Sequence, residues 1–109
     1  MMLKGLYKVE FETPRRKAVG VIYAEGGKLH GGSSAFAYLG SYTEHGNTFR
    51  GSVGAKRHSN DPSFPSVFGI DDVRIEFQGT AKGEFAICEG TASEAPSLNF
   101  KAVLTRIAD

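Results

Sequence analysis

The stretch Tyr7-Lys8-Val9-Glu10-Phe11-Glu12 decides the fold class, because apolar and charged residues alternate strictly along it. A period of two places one set of side chains on a dry face and the other on a wet face, which is typical of a half-buried β-strand. Pro14 follows directly and ends the strand. The same alternation recurs along the chain, so the sequence predicts an all-β protein.

Glycine and proline divide the rest of the chain into short segments. The 109 residues include 14 Gly and 4 Pro, whereas a helical bundle needs uninterrupted runs of about 10–20 residues. A chain of this length forms one domain. We therefore predict a single domain over residues 1–109, without a helical core.

Seven further segments carry strand patterns: 18–24, 28–30, 36–42, 48–58, 72–78, 85–90 and 97–109. Turn residues separate them at 26–27, 44–47, 79–83 and 94–96. Residues 59–71, with Pro62 and Pro65, form the one long non-strand segment. A short helical or 3-10 turn is predicted near 62–70, where Val67 and Phe68 would plug one end of the domain.

The last segment fits two patterns. Phe100, Val103, Leu104 and Ile107 match a helical period, and Leu98, Phe100, Ala102 and Leu104 alternate as in a strand. A strand is favoured, because a terminal strand that returns to the first one covers its open edge. About eight strands without a long crossover predict an up-and-down antiparallel barrel, with a two-sheet sandwich as the alternative. Four glycines inside the predicted strands indicate the bends that would close such a barrel: Gly20, Gly40, Gly51 and Gly54.

Charge and cysteine content limit the class of protein. The chain contains 13 Lys and Arg and 12 Asp and Glu, which gives a net charge of +1. Nucleic-acid-binding domains, in contrast, usually carry a basic excess. The N-terminus lacks the apolar core of a signal peptide, and no run is long enough to span a membrane. Cys88 alone cannot form an internal disulfide. We expect a cytoplasmic protein that binds neither nucleic acid nor membrane.

The residues capable of catalysis or metal binding do not form a recognisable set. His30, His45 and His58 share no metal-ligand spacing, and Cys88 lies in an apolar run, which favours a buried, inert thiol. No phosphate-binding loop is present in the sequence. We predict no metal, no cofactor and no enzymatic activity; an isomerase or hydrolase of the small-barrel type is the weaker alternative, and it needs convergent polar groups in a cavity.

Aromatic residues are the remaining functional signal. If the barrel is hollow, they would line a cavity for one small apolar ligand, with tyrosine hydroxyls as polar contacts; the alternative is an ordinary filled core. The predicted cavity residues are Tyr7, Tyr23, Phe36, Tyr38, Tyr42, Phe77 and Phe85.

Four segments resemble one family in their order and spacing. They read Gly-Leu-Tyr-Lys-Val-Glu-Phe at 5–11, Gly-Val-Ile-Tyr at 20–23, Gly-Gly-Ser-Ser-Ala-Phe-Ala-Tyr-Leu-Gly at 31–40 and Pro-Ser-Val-Phe-Gly-Ile at 65–70. Together they resemble the GrlR-like family of small bacterial regulators over nearly the whole chain. The most specific pieces are the segment ending at Gly40 and the Pro-Ser-Val segment.

The resemblance implies a lipocalin-like eight-stranded barrel that forms a homodimer and encloses a hydrophobic cavity. It also implies a negative regulator of type III secretion gene expression, which acts by binding a transcriptional activator protein rather than DNA. In the family, an acidic Glu-Asp-Glu-Asp loop is tied to activator recognition. The corresponding turn here, the candidate partner-binding loop, is Thr43-Glu44-His45-Gly46-Asn47. Only Glu44 is acidic in it, which leaves the identity of the partner open.

Two functional hypotheses therefore stand side by side. The first is a non-enzymatic regulatory protein that works by protein–protein binding, and the second is a carrier or sensor of a small apolar ligand. The two are compatible, since a ligand can bias partner binding. A homodimer is expected as well, with apolar outer positions such as Ile22, Val103 and Ile107 covered by the second copy.

Overall fold

The computed structural model describes residues 3–63 and 65–109. These contain eight strands: β1 (Gly5–Thr13), β2 (Arg16–Glu25), β3 (Lys28–Gly32), β4 (Phe36–His45), β5 (Thr48–Arg57), β6 (Asp72–Lys82), β7 (Phe85–Ala92) and β8 (Ala95–Ala108). No helix occurs in the described residues. The last segment is therefore a strand, as the edge-closure argument predicted, and not a helix.

The eight strands form one closed barrel. Each strand pairs antiparallel with the next, and β8 returns to pair with β1, with Val9 opposite Leu104. This confirms the predicted eight-stranded up-and-down barrel and excludes the two-sheet sandwich. Closure satisfies the backbone groups of both edge strands, which would otherwise be exposed.

The alternation along each strand determines the interior. On β1, Tyr7 and Val9 are buried while Lys8 and Glu10 face solvent. On β6, Val73, Ile75 and Phe77 are buried in the same manner. Because side chains alternate between the two sides of a strand, the buried set from all eight strands forms one core inside the barrel.

The predicted turn at 79–83 and the predicted outward orientation of Ile22 are wrong. Residues 79–82 continue β6, and the turn to β7 is formed by residues 83 and 84. Gly79 stands inside the strand because β7 passes so close that a Cβ there would lie 2.7 Å from the Cβ of Cys88. Ile22 was expected on the outer surface, but it is paired with Tyr7 and buried, only 8% exposed.

The described residues between β5 and β6 form no helix; within the predicted helical or 3-10 turn near 62–70 they have one turn closed by a hydrogen bond between residues three apart, the spacing of a 3-10 turn. The Gly69 N–H donates to the Ser66 carbonyl at 3.1 Å, which closes a four-residue turn. Val67 and Phe68 at its centre are 5% and 3% exposed, so the predicted plug of one barrel end is present. Gly69 has a φ of 75°, which favours glycine. Phe64, within the predicted turn, lies outside the described residues.

Candidate functional site: a cavity at one end of the barrel

A cavity of about 360 Å³ opens at the barrel end that carries the β1–β2, β3–β4 and β5–β6 connections. Its size lies within the about 300–1,000 Å³ of small-molecule sites. The strands contribute Val9, Phe11, Ala18, Val19, Ile22, Phe36, Tyr38, Val53, Ala55, Val73, Ile75 and Phe100; the rim and connections contribute Arg16, Lys17, Ser33, Ser34, Ser63, Pro65, Ser66, Val67 and Phe68. Most of this lining is aliphatic or aromatic, so the cavity suits an apolar molecule.

Aromatic rings form a continuous wall on one side of the cavity. Phe11 meets Tyr38 edge to face, with ring centroids 5.7 Å apart, and lies 6.0 Å from Phe100. Phe68 then stacks on Phe100 at 5.9 Å with an interplanar angle of 15°. These contacts hold the rings in place, and they carry the wall from the strands to the connection that covers the mouth.

The β5–β6 connection is fastened to the barrel at both of its sides. The Thr13 hydroxyl donates to the Val67 carbonyl, and the His58 N–H donates to the Ala35 carbonyl at 2.7 Å. The Arg57 guanidinium pairs with Asp71 at 2.7 Å. The cover over the cavity is therefore anchored near both ends of the connection.

Polar groups are few and stand towards the mouth. Burial raises the pKa of the Tyr38 hydroxyl, and a hydrogen bond with the Ser33 side chain partly offsets this. The hydroxyl is therefore neutral near pH 7, and it can exchange hydrogen bonds with a ligand. Arg16 and Lys17 bring positive charge to the rim.

The opposite end of the barrel is closed by the start of the chain. Leu3 is buried there, and its carbonyl accepts a hydrogen bond from the Tyr42 hydroxyl at 2.9 Å. The Leu3 N–H donates to Glu44 Oε2 at 2.9 Å, and the Lys4 N–H donates to the Tyr7 hydroxyl at 3.3 Å. A ligand therefore reaches the cavity from the β5–β6 end.

The predicted cavity residues separate into three groups. Phe36 and Tyr38 line the cavity. Tyr7, Tyr42 and Phe77 are buried in the barrel but do not line it; the two tyrosines hold the closed end, and Phe77 packs against Phe49.

Tyr23 and Phe85 are corrections to the predicted cavity. The Tyr23 hydroxyl donates to the exposed Glu25 carboxylate, and Phe85 is 55% exposed, so both face outward. The residue types alone do not show that Tyr23 and Phe85 face outward. Only the pairing of Tyr7 with Ile22 shows that Ile22, and not its neighbour Tyr23, points inward.

Sequence reasoning missed several lining residues that follow from side-chain alternation. Phe11 and Phe100 form the aromatic wall, and Ile22 lines the cavity between them and β4. Phe11 has the parity of Tyr7, which was expected inside, whereas Ile22 has the opposite parity to Tyr23, the residue of β2 that was expected inside. The sequence signal was available, but the strand pairing needed to use it was not.

The predicted partner-binding loop is the β4–β5 hairpin turn at the closed end. Thr43, His45, Gly46 and Asn47 are exposed, and Glu44 is half-buried because its carboxylate accepts the Leu3 N–H. The loop is thus separate from the cavity.

Cys88, His30 and His45 lie apart from the cavity lining, whereas His58 stands beside it, with its Nε2 3.1 Å from the carbonyl oxygen of Ser33. Cys88 is 7% exposed, and burial raises its pKa to about 12, with a smaller effect from Glu89. This supports the predicted inert thiol. In the described part of the chain, no cluster of three or more His, Cys, Asp or Glu could hold a metal ion. The absence of enzymatic activity stays a prediction.

The outer surface of four adjacent strands carries a second feature, which we call the β7–β2 face. In register, Phe85, Thr105, Lys8 and Val21 form one row across β7, β8, β1 and β2; Ile87, Val103, Glu10 and Val19 form the next. The five apolar residues among them are 40–63% exposed. Lys8 and Glu10, whose Nζ and Oε1 atoms lie 3.6 Å apart, separate the apolar residues of β7 and β8 from those of β2. Exposed apolar residues beside charged ones are typical of surfaces that associate with other proteins.

Neither a family model nor a curated protein matches the chain. Within residues 3–63 and 65–109, no helix has the length and apolar character needed to cross a membrane.

Proposed function

We propose that the protein binds one small, predominantly apolar molecule in the barrel cavity, and acts as its carrier or sensor. The single observation that carries the proposal is the cavity of about 360 Å³, which remains inside a barrel whose other end is filled. Eight-stranded barrels have either a filled interior or room for one small ligand. Here the aromatic wall and the anchored cover give that space a defined shape.

Filling the cavity tests this function. Ala55 lines it and is paired with Tyr38, so Ala55→Leu extends a side chain into the space a ligand would use. Ala37→Leu is the matched control, because Ala37 has the opposite, outward parity on β4. The readout is the fluorescence of N-phenyl-1-naphthylamine, an uncharged apolar dye.

The expected result is saturable dye binding by the native chain and by Ala37→Leu, with at least tenfold weaker binding by Ala55→Leu. Circular dichroism checks that both variants fold. Absence of dye binding by the native chain, or equal binding by the two variants, would count against a ligand cavity.

A second candidate function, regulation through protein–protein binding, is favoured by the β7–β2 face. We propose that its first occupant is a second copy of the chain. A twofold axis running across the strands between the two rows brings Lys8 of one copy opposite Glu10 of the other, and Phe85 opposite Ile87. The face is thus complementary to itself in charge and apolar character.

A charge swap tests this dimer. Lys8→Glu and Glu10→Lys should each weaken dimerisation, because like charges then meet across the axis. The double variant should restore it, and Arg50→Glu on another part of the outer surface is the control. Light scattering that shows a monomer at micromolar concentration would overturn the dimer. A transcriptional activator as a further partner rests on the family resemblance, and a pull-down with candidate activators tests it.

A further inference from the structure

The charges around the cavity indicate the chemical class of its ligand. Among the described lining residues two are cationic, Arg16 and Lys17, and none is acidic. On the adjoining connection, the carboxylate of Asp71 is paired with Arg57, and that of Asp61 accepts the N–H of the lining residue Ser63 at 2.9 Å. A molecule that inserts an apolar tail into the cavity therefore leaves its polar head group at the mouth, beside the two positive charges of the lining.

Arg16 is the better placed of the two cations. On β2 the inward positions are Ala18, Gly20, Ile22 and Ala24, so Arg16 shares their parity and extends the inward side to the rim. It makes no ion pair with another described residue. Lys17 has the outward parity and stands opposite Glu12 across the β1–β2 pair, which makes it the weaker contributor.

We propose that the ligand is an amphiphile with an apolar tail in the cavity and a single anionic head group at Arg16. The guanidinium offers several N–H donors in one plane, which match a carboxylate, sulfate or phosphate monoester. The inference rests on the proposed ligand-binding function and adds the charge of the head group. It also gives the ligand an orientation, with the tail towards Val53 and Ile75 and the head towards the β1–β2 turn.

Ligands with one tail and three head groups test the inference. Decanoate, decan-1-ol and decylammonium are used to displace N-phenyl-1-naphthylamine from the native chain, from Arg16→Gln and from Arg50→Gln. Arg50 is an exposed arginine of β5, paired with Thr43 near the closed end, so it controls for the loss of one positive charge.

We expect decanoate to bind best to the native chain and to Arg50→Gln, and decylammonium to bind worst. Exposed ion pairs contribute about 0.2–1 kcal/mol, so Arg16→Gln should weaken decanoate binding by a factor of about 1.4 to 5. Neither substitution should change the concentration of decan-1-ol that displaces the dye.

Each other outcome is decisive. If decan-1-ol or decylammonium binds the native chain as well as decanoate does, or if Arg16→Gln keeps the full preference, the anionic head group is wrong while ligand binding stands. If the dye binds but none of the three ligands displaces it, the inference fails. If the dye does not bind the native chain, the proposed function fails together with the inference.

Discussion

Replacing Gly51 by alanine tests whether the barrel requires a residue without a side chain at this position of β5. Gly51 lies on β5 between Tyr42 of β4 and Phe77 of β6. A Cβ at Gly51 would lie 2.7 Å from the Cα of Tyr42 and would overlap the carbonyl oxygen of Ser41. Both are backbone atoms, so no side-chain rotation relieves the contact. Strands β4 and β5 must move apart locally.

The expected cost follows from that displacement. Carbon atoms pack at about 3.5–4.0 Å, so relief needs about 1 Å of extra separation between strands that hydrogen-bond at about 4.8 Å. The neighbouring ladder hydrogen bonds weaken, each contributing about 0.5–1.5 kcal/mol, and local overpacking costs about 1–3 kcal/mol. We expect Gly51→Ala to lower the free energy of unfolding by about 2–4 kcal/mol.

Gly54→Ala on the same strand is the matched control. The nearest atom to a Cβ there is the Leu39 carbonyl oxygen at 3.7 Å, an ordinary contact. Alanine should therefore fit, and it gains about 0.4–1 kcal/mol by restricting the unfolded chain. Urea denaturation followed by circular dichroism measures both variants. Equal unfolding midpoints for Gly51→Ala and Gly54→Ala would refute the argument that close strand approach requires glycine at 51.

Three further predictions follow from the core and the two barrel ends. The Cys88 thiol should react with an aromatic disulfide reagent only as the protein unfolds; its raised pKa should also make stability fall as the pH rises from about 9 towards 12, a slope that is smaller in Cys88→Ala, where the buried tyrosines still contribute, and is measured by urea titration. Tyr42→Phe should cost about 1 kcal/mol, because the buried Leu3 carbonyl loses its donor, and thermal unfolding at unchanged dye affinity would show it. Phe68→Ala should lower stability by about 3–5 kcal/mol and weaken dye binding, because it removes the ring stacked on Phe100; unchanged dye binding would contradict this.

Strand alternation made most of the barrel predictable, because a strand with one wet face reveals its inward side. Lys8 and Glu10 on β1 leave only one orientation in which charges reach water. Segments β2 and β7 lack this information, since apolar residues occupy both faces. On β7 the small pair Ala86 and Cys88 faces inward and the larger pair Phe85 and Ile87 faces out. Small residues occupy the inward positions of β7 because the interior is tightly packed on that side of the barrel. That packing depends on the neighbouring strands β6 and β8.

The glycines illustrate the same limit. Gly40 and Gly51 were expected to mark bends, and both lie where a neighbouring backbone occupies the place of a Cβ. Gly54 was expected to do the same, but open space surrounds it out to 3.7 Å. The sequence shows that a residue lacks a side chain, whereas only the register shows whether a neighbour needs that space. The cavity follows the same rule, since its volume depends on the packing of six strands at once.

Strand β1 joins the two proposed functions physically. Val9 and Phe11 line the cavity, and Lys8 and Glu10, which alternate with them along the strand, form the centre of the β7–β2 face. A ligand that shifts β1 by rigid displacement therefore moves the outer row with the inner one. If ligand binding changes the dimer dissociation constant by some factor, dimerisation must change ligand affinity by the same factor. Strand β1 can transmit a displacement, but it has no second packed arrangement of its own. Any such coupling must therefore come from a change at one of its ends. The proposed ligand would contact the end at the cavity mouth, where the β1–β2 turn and Arg16 lie.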